Sequence, residues 1–75
     1  MEIHLQGIGK HYAIKAAKLV PGMTMVWNFG YTSTVKTVEA SKTGKTVTVV
    51  SITPDGSEYG RRFSANRLVA VDKPL

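Results

Sequence analysis

Residues 46–57 read TVTVVSITPDGS, a run of threonine and valine that ends in a tight-turn signal. Because β-branched residues favour extended backbone, residues 46–53 form the strongest predicted strand of the chain. Pro54 presets the backbone of a turn and Gly56 supplies a left-handed residue, so the chain should reverse here. The stretch therefore predicts an antiparallel pair whose second strand covers residues 57–64.

The same strand pattern continues on both sides of this pair. Further strands are predicted over residues 11–16, 23–29, 34–40 and 68–71. A polar hairpin loop containing Gly44 should precede the threonine-valine strand, and residues 65–67 should form one 3₁₀ turn. Tyr12, Ala16 and Leu19 would also line one face of a helix, so a helix in that region stays open as an alternative.

The chain has 75 residues, which predicts a single small domain over residues 1–75. Residues 1–10 show little pattern and are expected to form a loose arm, and residues 72–75 are expected to form a tail. The sequence contains no cysteine, which fits a reducing compartment. The start, MEIHLQGIGK, does not resemble a secretory signal, and no apolar run could span a membrane. A cytoplasmic location without a membrane partner is therefore expected.

The charge balance is basic, with ten Lys or Arg residues against five Asp or Glu residues and a net charge of +5. No acidic residue lies between Glu2 and Glu39. Polyanions are the natural partners of such a surface. The alternative is that the charge only keeps a small domain soluble.

Two stretches carry a resemblance to known families. Residues 19–38, LVPGMTMVWNFGYTSTVKTV, resemble the opening strand pair of KOW-type domains, although Thr32-Ser33-Thr34 replaces a second glycine. Residues 60–72, GRRFSANRLVAVD, are similar to the end of Src-homology-3-like barrels. The resemblance implies an all-β fold, a small five-stranded Src-homology-3-like barrel with a short N-terminal extension. In size and style the chain also resembles small orphan proteins of phages and prophages.

Three aromatic residues crowd the stretch WNFGYTSTV, residues 27–35. Trp27 and Phe29 alternate with Val26 and Asn28, on the same side as Met23 and Met25, so this side should face the core. For Phe29 the alternative is that it caps one end of the barrel. Tyr31 follows the turn and is the ring expected to stay exposed. It is therefore available for stacking on a ligand.

No arrangement of residues predicts catalysis. His4 and His11 are seven residues apart and have no thiol partner, whereas a metal site needs three or four convergent ligands. The five carboxylates are scattered, and residues 7–10, GIGK, lack the full spacing of a phosphate-binding loop. We therefore expect no enzymatic activity, no cofactor, no metal and no small-molecule substrate.

Binding remains, and the cations predict where it occurs. Arg61 and Arg62 are neighbours on a strand, so they should point to opposite faces, with Arg61 on the side of Phe63. The predicted nucleic-acid site combines exposed cations with one aromatic ring: Lys36, Arg61, Arg62, Arg67 and Tyr31. The alternative function is a protein-interaction or structural accessory module of phage or prophage type. It would bind another protein or itself through an exposed sheet edge.

Overall fold

A computed structural model describes residues 1–72 and shows an all-β chain, which confirms the predicted class. The seven strands are β1 Glu2–Leu5, β2 Gly9–Lys15, β3 Thr24–Val26, β4 Thr32–Ala40, β5 Thr46–Ile52, β6 Glu58–Ser64 and β7 Leu68–Ala70. Two 3₁₀ segments cover Ala16–Lys18 and Asn28–Gly30. Each helical segment of residues 1–72 has three residues, and none has the length or apolar character to cross a membrane. Of the predicted tail, residues 73–75 lie outside the described residues.

The strands form two antiparallel sheets, with the orders β1-β2-β7 and β3-β4-β5-β6. A single bridge between Met25 and Val71 connects the edges of β3 and β7. The predicted five-stranded barrel is therefore wrong, because residues 1–72 form seven strands and no closed barrel. The four-stranded sheet instead ends at β6, which pairs with β5 on one side only.

The predicted loose arm over residues 1–10 is also wrong. Glu2 to Leu5 pairs with β2, and the Ala13 amide donates a 2.7 Å hydrogen bond to the Met1 carbonyl. The reason is that Leu5 buries its side chain in a small cluster with Val26 and Ala70, and this burial stabilises the first hairpin. The strand predicted over residues 11–16 is confirmed as β2 up to Lys15, and of the helix alternative only one 3₁₀ turn at Ala16–Lys18 is present.

The β5–β6 pair has a regular register from Thr46↔Ser64 to Ile52↔Glu58. Its turn is the one predicted from the sequence: Gly56 has a φ of 89°, and the Thr53 amide donates to the Ser57 carbonyl at 2.9 Å. This pair forms one half of the four-stranded sheet.

A bulge interrupts the β4–β5 ladder at Lys36, because Val35 pairs with Ser51 whereas Thr37 pairs with Val50. The extra residue changes the alternation of side chains along β4. As a result both Val35 and Val38 pack into the main core, although they are three positions apart.

The main core lies against one face of each sheet and centres on the fully buried side chains of Met25, Val49 and Val71. The predicted core face of residues 23–29 is only partly confirmed. Met23 and Trp27 are half-buried against this core, but Phe29 is 65% exposed. The strand ends at Val26, so the alternation on which the prediction for Phe29 rested stops three residues too early.

Replacing Gly56 by alanine should destabilise the fold by about 1 kcal/mol, because an L-residue resists the left-handed backbone of this turn. Gly60 is the matched control, since its φ is not positive and an added Cβ would meet Val50 at 4.0 Å, an ordinary contact. Gly60→Ala should therefore leave the free energy of unfolding unchanged or raise it. Urea denaturation measures both values, and equal losses for the two variants would contradict the assignment of the turn.

Candidate binding groove

The inner face of the four-stranded sheet extends beyond the core and forms the floor of an open groove of about 730 Å³. Along β5, Val47 and Val49 lie in the core, and Ser51 is the next residue on this face. Ser33 on β4 takes a similar position. Small serine side chains fill less space than valine, so the groove opens where the apolar alternation ends.

Two exposed tyrosines stand along the groove. Tyr31, which directly precedes β4, is 72% exposed. Tyr59 lies on β6 opposite Ser51 and is 59% exposed. The Thr53–Asp55 turn completes the lining. Exposed tyrosine rings beside a partly apolar floor are suited to flat or extended ligands.

A cation lies beside the groove, over two stacked aromatic rings. Trp27 stacks on Phe63 with a centroid distance of 6.3 Å and an interplanar angle of 18°. The Arg61 guanidinium carbon lies 5.3 Å from the Trp27 ring centroid and 5.2 Å from that of Phe63. Trp27 is itself oriented by its indole Nε1, which donates to the Ser33 hydroxyl at 3.0 Å. The cation–π contacts hold the charge of Arg61 in place beside the groove floor.

A second, smaller hollow of about 250 Å³ lies on the other side of the Trp27–Phe63 stack. The Arg67 guanidinium carbon is 5.5 Å from the Phe63 centroid, and Arg67 lines this hollow. Trp27 and Phe63 line both the groove and this smaller hollow. The two arginines therefore lie on one aromatic stack, each facing a different hollow.

The residues of the predicted nucleic-acid site are divided between two surfaces. Tyr31 and Arg61 line the groove, and Arg67 lies in the neighbouring hollow. Lys36 and Arg62 lie on the outer face of the sheet, where Lys36 Nζ bonds Glu58 Oε2 at 3.1 Å. The cause is the strand geometry, because consecutive residues on a strand point to opposite sides. A single basic face of all five residues is therefore not formed.

Sequence reasoning missed two residues of the groove, Trp27 and Tyr59. Trp27 was assigned to the core, yet it is half-buried and lines both hollows. Tyr59 shares the alternation of Arg61 and Phe63 in the stretch YGRRF, and this signal is sufficient to place it on the inner face.

The loop that presents Tyr31 is held in a strained conformation. Phe29 has a φ of 63°, which is uncommon for a residue other than glycine. Two hydrogen bonds tie this loop to the first hairpin: Gln6 N donates to Asn28 Oδ1 at 2.9 Å, and Phe29 N donates to Gln6 O at 2.7 Å. The Phe29 ring packs directly over Gly7, where a Cβ would lie 2.6 Å from Cδ1. Strain of this kind is typical of loops that form binding sites.

Asp55 at the opposite rim is a carboxyl group with a lowered pKa. The Thr53 hydroxyl donates to Asp55 Oδ1 and lowers the pKa of this carboxyl below its usual range, and the Ser57 amide, which donates at 3.1 Å, acts in the same direction. These bonds favour the ionised form, so the rim carries a negative charge at neutral pH.

The two histidines do not come together. On the β1–β2 hairpin, His4 pairs with Lys10 and His11 pairs with Ile3, which places the imidazoles on opposite faces. Within residues 1–72 no three His, Asp or Glu side chains cluster as metal ligands would.

Comparison with known proteins identified no relative of this chain. No protein-family model matches the chain, and neither the curated proteins nor the solved structures contain a significant match to it. The role of the groove is therefore argued from its own residues.

Replacing Gly7 by alanine should destabilise the protein by roughly 1–3 kcal/mol, because its φ is 77° and the new Cβ would clash with the Phe29 ring. In a Phe29→Ala background the clash disappears and only the backbone strain remains. The cost of Gly7→Ala should then fall by about 0.5 kcal/mol or more. Denaturation of all four proteins in this double-mutant cycle measures the coupling. An equal cost in both backgrounds would show that the ring does not rest on Gly7.

Titration of Asp55 by NMR should give a pKa below the ordinary value of about 3.9. Thr53→Val removes the first hydrogen bond and should raise the pKa towards that value, whereas Thr53→Ser keeps a hydroxyl and should leave the pKa low. The pKa of Asp55 is lower in the folded protein than in the unfolded chain, so ionised Asp55 stabilises the fold. This contribution to the free energy of unfolding is present above the unfolded-state pKa and is lost as the pH falls through the folded-state pKa. An unchanged pKa in the valine variant would contradict the hydrogen-bond assignment.

Proposed function

We propose that this protein is a non-catalytic module that binds single-stranded nucleic acid in the groove. The observation that carries the proposal is the Arg61 guanidinium, held over Trp27 and Phe63 beside the two exposed rings of Tyr31 and Tyr59. Proteins that bind single strands without sequence preference combine cations for the backbone with aromatic side chains on which bases stack. The groove provides both within one surface.

The aromatic side chains favour a single strand over a duplex. Tyr31 and Tyr59 can stack only on bases whose faces are exposed, and paired bases in a helix are covered by their neighbours. The groove volume of about 730 Å³ lies within the range of sites that accept ligand-sized groups. The groove is therefore expected to contact only a few nucleotides, and the rest of the strand would continue beyond its open ends.

The charges support phosphate contacts near the aromatic stack. Arg61 and Arg67 both lie on Phe63, so a strand that crosses the stack would meet two guanidinium groups. Arg62 and the paired Lys36 lie on the opposite face and act only at a distance, through the net charge of +5. The Asp55 carboxylate at the far rim would repel phosphate. The backbone of the ligand is therefore expected to pass on the Arg61 side.

The finer description of the fold also stays a proposal. An Src-homology-3-like relationship is supported by the meander of β4, β5 and β6, followed by one tight turn and the short β7. A cytoplasmic location remains a prediction that rests on the absence of cysteine from the sequence.

A protein-interaction module of phage or prophage type is the second candidate function. It is favoured by the free edge of β6 and by the partly apolar floor of the groove at Met25 and Val49. Contacts of this kind depend weakly on salt, whereas phosphate contacts weaken steeply as salt rises. Salt dependence therefore separates the two functions.

The test is fluorescence anisotropy with a labelled oligothymidine and with a duplex of the same length, across a salt series. We expect the single strand to bind more tightly than the duplex, with a dissociation constant of ~10⁻⁴–10⁻⁶ M at physiological salt. The single tryptophan gives an independent signal, since a base placed beside Trp27 should quench its emission. Absence of binding at low salt would overturn the proposal.

The neighbouring arginines supply a matched pair of variants. Arg61→Gln should weaken binding and reduce the slope of log affinity against log salt by about 0.7, the value for one phosphate contact on a single strand. Arg62→Gln makes the same charge change on the opposite face and should leave the slope nearly unchanged. Equal effects of the two variants would show that the ligand does not occupy the groove.

The stacking contribution is tested separately. Tyr31→Ala and Tyr59→Ala should each cost ~1–3 kcal/mol of binding free energy if a base stacks on that ring. Both rings are exposed, so the variants should keep the thermal transition of the parent protein. Unchanged affinity in both variants would exclude the aromatic part of the proposal.

A further inference from the structure

The outer edge of β6 is an unpaired strand edge. β6 ends the order β3-β4-β5-β6, and Glu58 to Arg62 are all exposed. Among residues 1–72 no strand pairs with this edge, and the strand contains no proline that would block pairing. Such edges offer a row of backbone donors and acceptors to another strand.

The ladder with β5 determines which residues of β6 face outward. The Thr53 amide donates to the Ser57 carbonyl, and the Ala65 amide donates to the Lys45 carbonyl, so odd-numbered residues direct their backbone groups towards β5. Backbone groups alternate in direction along an antiparallel strand. Glu58, Gly60 and Arg62 therefore direct their N–H and C=O groups to the free edge.

We infer that a second copy of this chain occupies the edge, with β6 pairing antiparallel to β6 around a twofold axis at Gly60. In this register Gly60 lies opposite its own counterpart, and Glu58 lies opposite Arg62 of the second copy. Each of these opposed pairs exchanges two backbone hydrogen bonds, because all three residues present their donors and acceptors outward. The result is a continuous eight-stranded sheet.

Charge complementarity favours this register. Glu58, which also bonds Lys36 of its own chain, faces Arg62 of the second copy on the outer surface and forms a second ion pair. On the inner surface Tyr59 of one copy faces Arg61 of the other, which allows a cation–π contact in addition to those that Arg61 makes within its own chain.

A shift by two residues in one direction would place Arg61 opposite Arg61, and a shift by four would place Arg62 opposite Arg62. In the other direction a shift by two would place Glu58 opposite Gly60 and lose the ion pair, and a shift by four would place Glu58 opposite Glu58. Like charges directly opposite each other destabilise a strand pair.

The proposed dimer does not depend on which ligand the groove binds, but it determines how the two grooves are arranged. Tyr59 and Arg61 line the groove and also lie beside the twofold axis, so pairing brings the two grooves to one side of the sheet. An interface of one strand per chain lies at or below the smallest standard interfaces of ~1,200 Å². The dimer is therefore expected to be weak and to form only at high protein concentration.

Sedimentation velocity over a concentration series into the millimolar range tests the dimer in three charge variants. Glu58→Arg and Arg62→Glu should each weaken self-association, by about tenfold for a loss of 1.4 kcal/mol. The double variant Glu58→Arg with Arg62→Glu restores complementary charges and keeps the net charge of +5, so it should dimerise like the parent. Lys10→Glu on β2 makes the same charge change as Arg62→Glu away from the edge and serves as the control.

If association depended only on net charge, the result would be different. Arg62→Glu and Lys10→Glu each lower the positive charge of the chain and so reduce the repulsion between copies. Both variants would then associate more strongly than the parent. That outcome would overturn the proposed register. A monomeric parent at every concentration would overturn the dimer itself.

Cysteine cross-linking gives a second test that does not depend on charge. The natural sequence has no cysteine, so Gly60→Cys places a single thiol on the twofold axis, with an expected Cα separation of about 5.5 Å. Ser64→Cys lies on the same face of β6 but opposite no strand residue of the second copy. Oxidation should cross-link the first variant much faster than the second. Equal rates would contradict the β6–β6 pairing.

Discussion

The register of the β5–β6 pair is the constraint on which the rest of the structure depends. It places Val47 opposite Phe63, Val49 opposite Arg61 and Ser51 opposite Tyr59, all on one face of the sheet. Along β6 this face therefore carries the buried Phe63, then the Arg61 cation over the Phe63 ring, and then the exposed ring of Tyr59. A slip by one residue would exchange this face for the outer one and remove core and groove together.

Core and groove therefore share residues. Phe63 is 2% exposed and belongs to the main core, yet its ring supports both Arg61 and Arg67. Trp27 adds a half-buried ring that packs on Phe63 and separates the two hollows. This arrangement places two cations over aromatic rings without burying either charge. It also couples stability to binding, because a change at Phe63 or Trp27 affects both.

The first hairpin and the loop after β3 depend on each other in the same way. Residues 1–10 pair with β2 and supply the Gln6 carbonyl that accepts from Phe29 N. Together with the bond from Gln6 N to Asn28 Oδ1, that contact ties the loop of the left-handed Phe29 to the first hairpin, and the same loop leads to Tyr31 beside the groove. The N-terminal segment thus contributes to the site although none of its residues lines the larger groove.

The sequence by itself determined the all-β class, the hairpin turn at Gly56 and the outward direction of Arg62, because each follows from local backbone preference or from period-two alternation. It also predicted that Arg61 shares the side of Phe63. Only the tertiary structure decided that residues 1–10 form a hairpin, that Phe29 turns outward and that Val35 and Val38 both face the core. Those features depend on contacts distant in sequence, on a bulge and on one left-handed residue, and no local pattern specifies them.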